Sequence, residues 1–228
     1  MAVQRTSRRR KPSVARKVLD GGAPSFYAGH YRRGGFRYDI DQERAFLRDV
    51  LVPFCGWETG ARVIEVGAGQ CLHSGLLHQA GMDVTAVEVA ATGVAAGREQ
   101  FPDLDAQVGD AATWVTDRPG HVYGRGLSWW HYELAGVNQA GVDVAACTRR
   151  VWEDLVAPGH TLVAQMVTDL TGARPERKVH QNQIADFEGL FGSVCGVRPR
   201  IVDWAGSEIV PGRRHDRGVL VVARKPVA

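Results

Sequence analysis

Within Arg62-Val63-Ile64-Glu65-Val66-Gly67-Ala68-Gly69-Gln70, a carboxylate stands two residues ahead of the first of two alternating glycines. The apolar run reads as a buried strand that passes without a linker into a glycine turn and then a helix. Glycines at 67 and 69 let the backbone approach a ligand closely, and the amides at the following helix start offer donors to an anion. Glu65 is the unusual member. An acid there is awkward beside a pyrophosphate but suits a positively charged amino group, and a carboxylate in an apolar strand is costly to bury without a partner. The spacing therefore points to a nucleotide-like ligand that carries both signs of charge at one end.

Two further acids follow in order. Val84-Thr85-Ala86-Val87-Glu88 reads as a second strand ending in a carboxylate, and Ala106-Gln107-Val108-Gly109-Asp110-Ala111 as a third strand followed by another. The series resembles the class I S-adenosylmethionine-dependent methyltransferases, in which an acidic residue precedes Gly-x-Gly. The resemblance implies S-adenosyl-L-methionine as cofactor and S-adenosyl-L-homocysteine as product. It also implies that Glu88 meets the ribose hydroxyls and that Asp110 faces the adenine amino group. Cofactor contacts are expected at Glu65, Gly67, Ala68, Gly69, Glu88, Val89, Gly109, Asp110, Ala111 and Arg125. A dinucleotide-binding fingerprint would place a third glycine at position 72, where this chain has Leu72. Simpler roles stay open: Gly67 and Gly69 as a tight turn, and Glu88 or Asp110 as helix caps.

In that family the exit of the fourth strand faces the acceptor. Here it reads Arg125-Gly126-Leu127-Ser128-Trp129-Trp130-His131-Tyr132-Glu133. No Asp/Asn-Pro-Pro-Tyr/Phe tetrapeptide follows, which disfavours amino methylation of nucleic-acid bases, and no Pro-Cys offers a nucleophile toward cytosine. Trp129, Trp130 and Tyr132 form an aromatic wall that could sandwich a planar acceptor or favour a sulfonium, or simply pack under a cap. His131 is the first candidate for a general base and His30 the second, since an imidazole titrates near neutrality. Tyr27, Tyr31 and Arg33 are further candidates to touch substrate. No acidic ligand set for a metal follows the fourth strand, so no metal is expected.

These side chains need a scaffold that brings strand ends together. Strands at 62–66, 83–88 and 105–108, helices near 71–80 and 91–100, and a fourth strand at 121–126 alternate as in a doubly wound α/β sheet. A helix near 139–156, strand 161–167, a helix near 181–192, and strands 200–204 and 218–223 complete the pattern. The expectation is a Rossmann-like, seven-stranded, mostly parallel sheet with a C-terminal antiparallel hairpin, whose ligands bind beyond the carboxyl ends of the strands. Ahead of it, residues 25–38 are aromatic, basic and glycine-broken and read as a folded-over loop. Asp41 is expected to cap a helix over 42–55. The resulting division is a basic, disordered tail over 1–20, a cap with its helix over 21–57, and a cofactor-binding core over 58–228.

At 228 residues and 44% hydrophobic side chains, the chain can bury a full core. No apolar run suits a bilayer and no signal peptide is evident, so a cytoplasmic setting without membrane partners is expected. Cys55, Cys71, Cys147 and Cys195 lack metal or disulfide spacing. Of 28 basic residues, seven (Arg5, Arg8, Arg9, Arg10, Lys11, Arg16, Lys17) lie in the first 19, which hold no acid; the remainder carries 21 against 25 acids. The core is slightly acidic, which weakens a duplex-binding reading. Three function classes stay open: methylation of an O or N on a small planar molecule, methylation of RNA or protein aided by the basic arm, and a non-catalytic S-adenosylmethionine-binding domain. Oligomeric state is not legible.

Overall fold

A computed structural model describes residues 27–125, 143–166, 183–209 and 218–227. Seven strands form one sheet: β1 (Arg62–Val66), β2 (Asp83–Glu88), β3 (Asp105–Val108), β4 (His121–Arg125), β5 (Thr161–Met166), β6 (Arg200–Asp203) and β7 (Val219–Arg224). Their spatial order is β3-β2-β1-β4-β5-β7-β6. The first five pair in parallel, while β7 runs antiparallel between β5 and β6. The order reverses direction between β1 and β4, which is where a doubly wound sheet opens a crevice for ligands.

Alternation along the strands divides the core. Ile64, Val66, Val122, Leu162 and Val221 face α5 (Val144–Arg150), a π-helical continuation (Val151–Leu155) and α6 (Ile184–Cys195), meeting Val151, Leu155, Phe187 and Phe191. Val63, Ala86, Tyr123 and Val163 face the opposite layer, built by the N-terminal helix, α3 (Leu72–Gln79) and α4 (Ala91–Gln100). Glu65 and Glu88 share the face of Val63 and Ala86 by the two-residue period of a strand. Both therefore point toward the α3–α4 layer, in a setting otherwise apolar.

The N-terminal helix runs as α1 (Ile40–Phe46), a π-helical stretch (Leu47–Leu51) and α2 (Val52–Cys55), and ends on Gly56 at φ 66°. Pro53 has no N–H for the usual ladder, and the Val52 amide bonds back to Leu47 across the wider π turn. The expected cap at Asp41 is corrected: Asp39 is the N-cap, accepting from the amides of Asp41 and Gln42 at 3.1 and 3.2 Å. The reading of 25–38 as wholly irregular is also corrected. Residues 27–32 are helical, while 33–39 form the irregular link to α1, with Gly34 and Gly35 at φ 96° and 59°. Aromatic packing among Tyr27, Tyr31 and Phe36 favours a helix that local glycine content argued against. Of the later helices, α3 and α4 lie within a residue of the expected limits, α6 is displaced by three residues at both ends, and α5 begins at Val144, five residues after the expected start.

Candidate active site

The turn after β1 is tied to β2. The amides of Gly67 and Ala68 donate to the Val87 carbonyl at 2.8 and 3.1 Å. The Gly69 amide donates to Glu88 Oε2 at 2.9 Å, and Glu88 Oε1 accepts from the Ala90 amide at 3.0 Å. The three amides of the turn are thus committed to the end of β2. Gly67 and Gly69 sit at φ 70° and 61°, where a side chain is strained. A Cβ on Gly69 would also lie 3.2 Å from the Tyr31 hydroxyl. Across the turn, Gly93 of α4 has no room for a side chain because the Gly69 carbonyl fills that space.

Glu65 is 2% exposed. Ser74 donates to it from both its hydroxyl and its backbone amide, so this carboxylate braces the first turn of α3. Burial pushes the Glu65 carboxyl up to about 7, against the opposing pull of Ser74 and of the Arg125 charge. Burial raises Glu88 as well, opposed by the amides of Ala90, Gly69 and Val89. Two buried carboxylates, held by hydrogen bonds but with no cation bonded directly to either among the described residues, flank one glycine turn. They would gain from a ligand ammonium and ligand hydroxyls.

At the end of β3, Gly109 and Asp110 form a turn with Ala111. Asp110 is exposed and accepts the Ala112 amide at 2.9 Å. Trp114 packs over Gly109 and Val87, and its indole donates to Gln107 at 3.1 Å. Arg150 fixes this turn by donating to the carbonyls of Ala111 and Trp114. Val89 is half-buried between Glu88 and the buried Ala90.

The cap lies on the same edge. Tyr27, His30, Tyr31, Phe36 and Tyr38 form a continuous file of rings with centroids 4.3 to 6.3 Å apart. Tyr31 is buried against Gly69 and Gly93, and burial raises its phenol far above the ordinary range. Burial, with the Arg33 charge, lowers His30. Arg33 is exposed. The Phe36 amide donates to Gln70 Oε1 at 3.0 Å, tying the cap to the residue after Gly69. Trp129, Trp130, His131 and Tyr132 lie outside the described residues.

Arg125 ends β4 inside a cluster that sequence reasoning missed. Its Nη2 donates to Glu43 Oε1 at 2.8 Å, its Nη1 stands 2.8 Å from His73 Nε2, and its guanidinium lies 4.7 Å over the Tyr38 ring. Glu43 Oε2 is 2.7 Å from the same His73 nitrogen, and His73 Nδ1 is 2.6 Å from the Tyr123 hydroxyl, which donates on to Gln165. Burial drives His73 down to about 4; burial alone would raise Glu43, but His73 and Arg125 hold it at about 2. Near neutrality the cluster therefore holds one carboxylate, one guanidinium and a neutral imidazole. A lone histidine in a helix carries no sequence signal for such a place. Among the described residues, no group of His, Cys, Asp and Glu could hold a metal ion, and no helix is long and apolar enough to cross a membrane.

The fold is that of the class I methyltransferases. The structure is similar to a TehB-like SAM-dependent methyltransferase from Corynebacterium glutamicum, with a TM-score of 0.58 and 14% identity over 89% of this chain and 97% of that one. It is similar to the magnesium protoporphyrin IX methyltransferase of Synechocystis with bound SAH, with a TM-score of 0.60 and 15% identity over 92% and 99%. A S-adenosylmethionine-dependent methyltransferase from Clostridium acetobutylicum gives 0.62 and 8% over 89% and 97%. No family model matches the sequence, and no curated protein matches it.

Proposed function

We propose that this protein is an S-adenosylmethionine-dependent methyltransferase acting on an O or N of a small, planar or aromatic molecule. The observation that carries the reading is the pair of buried carboxylates, Glu65 and Glu88, on either side of one glycine turn at the carboxyl ends of β1 and β2. Glu65 suits an ammonium because its burial is uncompensated by a bonded cation among the described residues, and its raised carboxyl records that cost. Glu88 suits ribose hydroxyls: Oε2 accepts the Gly69 amide and Oε1 the Ala90 amide, and a carboxylate's lone pairs outnumber the amides bonded to it. Val89, Gly109, Asp110 and Ala111 would border the adenine, with Trp114 packed behind Gly109. Gly67, Ala68 and Gly69 keep the backbone low enough for the methionyl portion.

When bound, the sulfonium supplies an activated methyl group, so little covalent work falls to the protein. This chain's residues orient the acceptor and exclude water. The aromatic file from Tyr27 to Tyr38 supports a planar acceptor, with Tyr31, Arg33, Trp129, Trp130 and Tyr132 as its proposed contacts. A hydroxyl acceptor needs its proton removed; His131 is the proposed base, and His30, kept neutral by burial, is the second candidate. The arginine-rich first 19 residues support an alternative reading with RNA or protein as acceptor.

Incubation with methyl-labelled S-adenosylmethionine and separate pools of planar phenols and amines, RNA, and protein tests the assignment. Label in the small-molecule pool is the expected result. Label only in RNA or protein, lost on deletion of residues 1–19, would favour the alternative. Cofactor binding with no transfer to any pool would leave a binding domain.

A further inference from the structure

Adjacent residues at the start of α3 hold opposite charges. Ser74 donates to the Glu65 carboxylate, while His73 lies 2.8 Å from the Arg125 guanidinium. Glu65 pairs in register with Tyr123, and Arg125 follows two residues later on the same strand and the same face. An anion and a cation are thus set side by side at the carboxyl ends of β1 and β4. An α-amino acid end carries the complementary pair, an ammonium and a carboxylate.

Arg125 is not free to choose its direction. Glu43 of α1 takes Nη2, His73 of α3 takes Nη1, and the Tyr38 ring covers one face. His73 is itself held between Phe46 and Tyr123, whose rings stack on it at interplanar angles of 27° and 9°. Its Nε2 stands between a donor, Arg125, and an acceptor, Glu43 Oε2. With the Tyr123 hydroxyl donating to Gln165, a neutral imidazole keeps its one proton on Nδ1, toward the Tyr123 oxygen, and offers a bare Nε2 as acceptor to Arg125. An imidazolium would instead set a second positive charge against Arg125. The guanidinium has five N–H donors, so two bonds inside the cluster leave capacity for a bidentate carboxylate.

We propose that Arg125 binds the carboxylate of the ligand's amino-acid end, and that Glu43 and His73 are positioning residues that aim it. This rests on the cofactor reading above. Because Glu43 belongs to α1, the cap and the sheet complete this half of the site together; the ligand's carboxylate is recognised only where α1 is docked.

The test compares S-adenosylhomocysteine with its decarboxylated analogue by calorimetry. The intact protein is expected to prefer the former by about tenfold or more, the scale of a charge-assisted pair. Arg125→Gln, Glu43→Gln and His73→Leu are expected to lose most of that preference by weakening S-adenosylhomocysteine alone, with the analogue's affinity within about twofold of the parent's. His73→Gln, which keeps an acceptor near Arg125, is expected to restore part of it. Equal binding of the two ligands by the intact protein would overturn the proposal without variants, as would variants that weaken both ligands alike. Failure of the intact protein to bind either ligand would instead sink the cofactor reading beneath it.

Discussion

The Glu88 carboxylate accepts the Gly69 amide hydrogen at 2.9 Å across 19 residues of chain. The end of β2 thereby holds the turn that leaves β1, and the two strand ends form one rigid edge. Glu88→Ala strips acceptors from the Gly69 and Ala90 amides as well as from any ribose. It is expected to cost about 1–3 kcal/mol of stability and to weaken S-adenosylhomocysteine binding by more than about tenfold. Urea melts and calorimetry together measure the two losses; unchanged affinity would remove Glu88 from the site.

Glu65 makes ligand binding pH-dependent. With its carboxyl pushed up to about 7 by burial, it is partly protonated near neutrality, and a ligand ammonium favours the charged form. Binding then releases protons, so affinity rises with pH up to about 7 and levels off above it. Calorimetry in buffers of different ionisation enthalpy reads the released proton directly. Glu65→Gln should bind more weakly and lose this dependence.

Gly93 tests the close approach of α4 to the glycine turn. A methyl group there must displace the Gly69 carbonyl or the Tyr31 ring. Gly93→Ala, though favourable to a helix by propensity, is expected to weaken ligand binding by about tenfold or more, in line with overpacking at a site that must yield. Tight binding by this variant would mean that the turn is softer than its contacts indicate.

At the opposite end of the sheet, His121 accepts the Thr161 amide at 3.0 Å on Nδ1 and lies with its ring 4.3 Å from that of His160. Burial, together with His160 and Arg224, drives it down to about 3. The unfolded chain binds the proton first, near an ordinary 6.5, so this contribution to stability is complete above that pH and is lost as pH falls toward 3. His73, brought down to about 4, acts in the same sense. The raised carboxyls of Glu65 and Glu88 act in the opposite sense down to an ordinary 4.5, so urea midpoints should fall on acidification below about 4.5, and His121→Gln should flatten that slope.

The parallel core was legible because each early strand is apolar, short and punctuated by glycine or an acid, as Val63 to Gly69 and Val84 to Glu88 illustrate. The helix over 27–32 was not, because its stability comes from ring contacts of Tyr31 with the distant Gly69 and Gly93 and not from local propensity. Asp39 and Asp41 are both plausible caps by type, and only backbone geometry selects Asp39. In the site, Glu65 and Glu88 stood out as carboxylates in apolar strands. Glu43, His73 and Ser74 did not, since their meaning lies in contacts that cross 30, 52 and 9 residues of chain.

The most direct measurement is a parallel calorimetric titration with S-adenosylmethionine, S-adenosylhomocysteine and NAD. Binding of the first two without NAD, weakened by Glu65→Gln and by Glu88→Ala, is the expected result. Binding of NAD alone, or of none of the three, would contradict the assignment of Glu65 and Glu88 to an S-adenosylmethionine site.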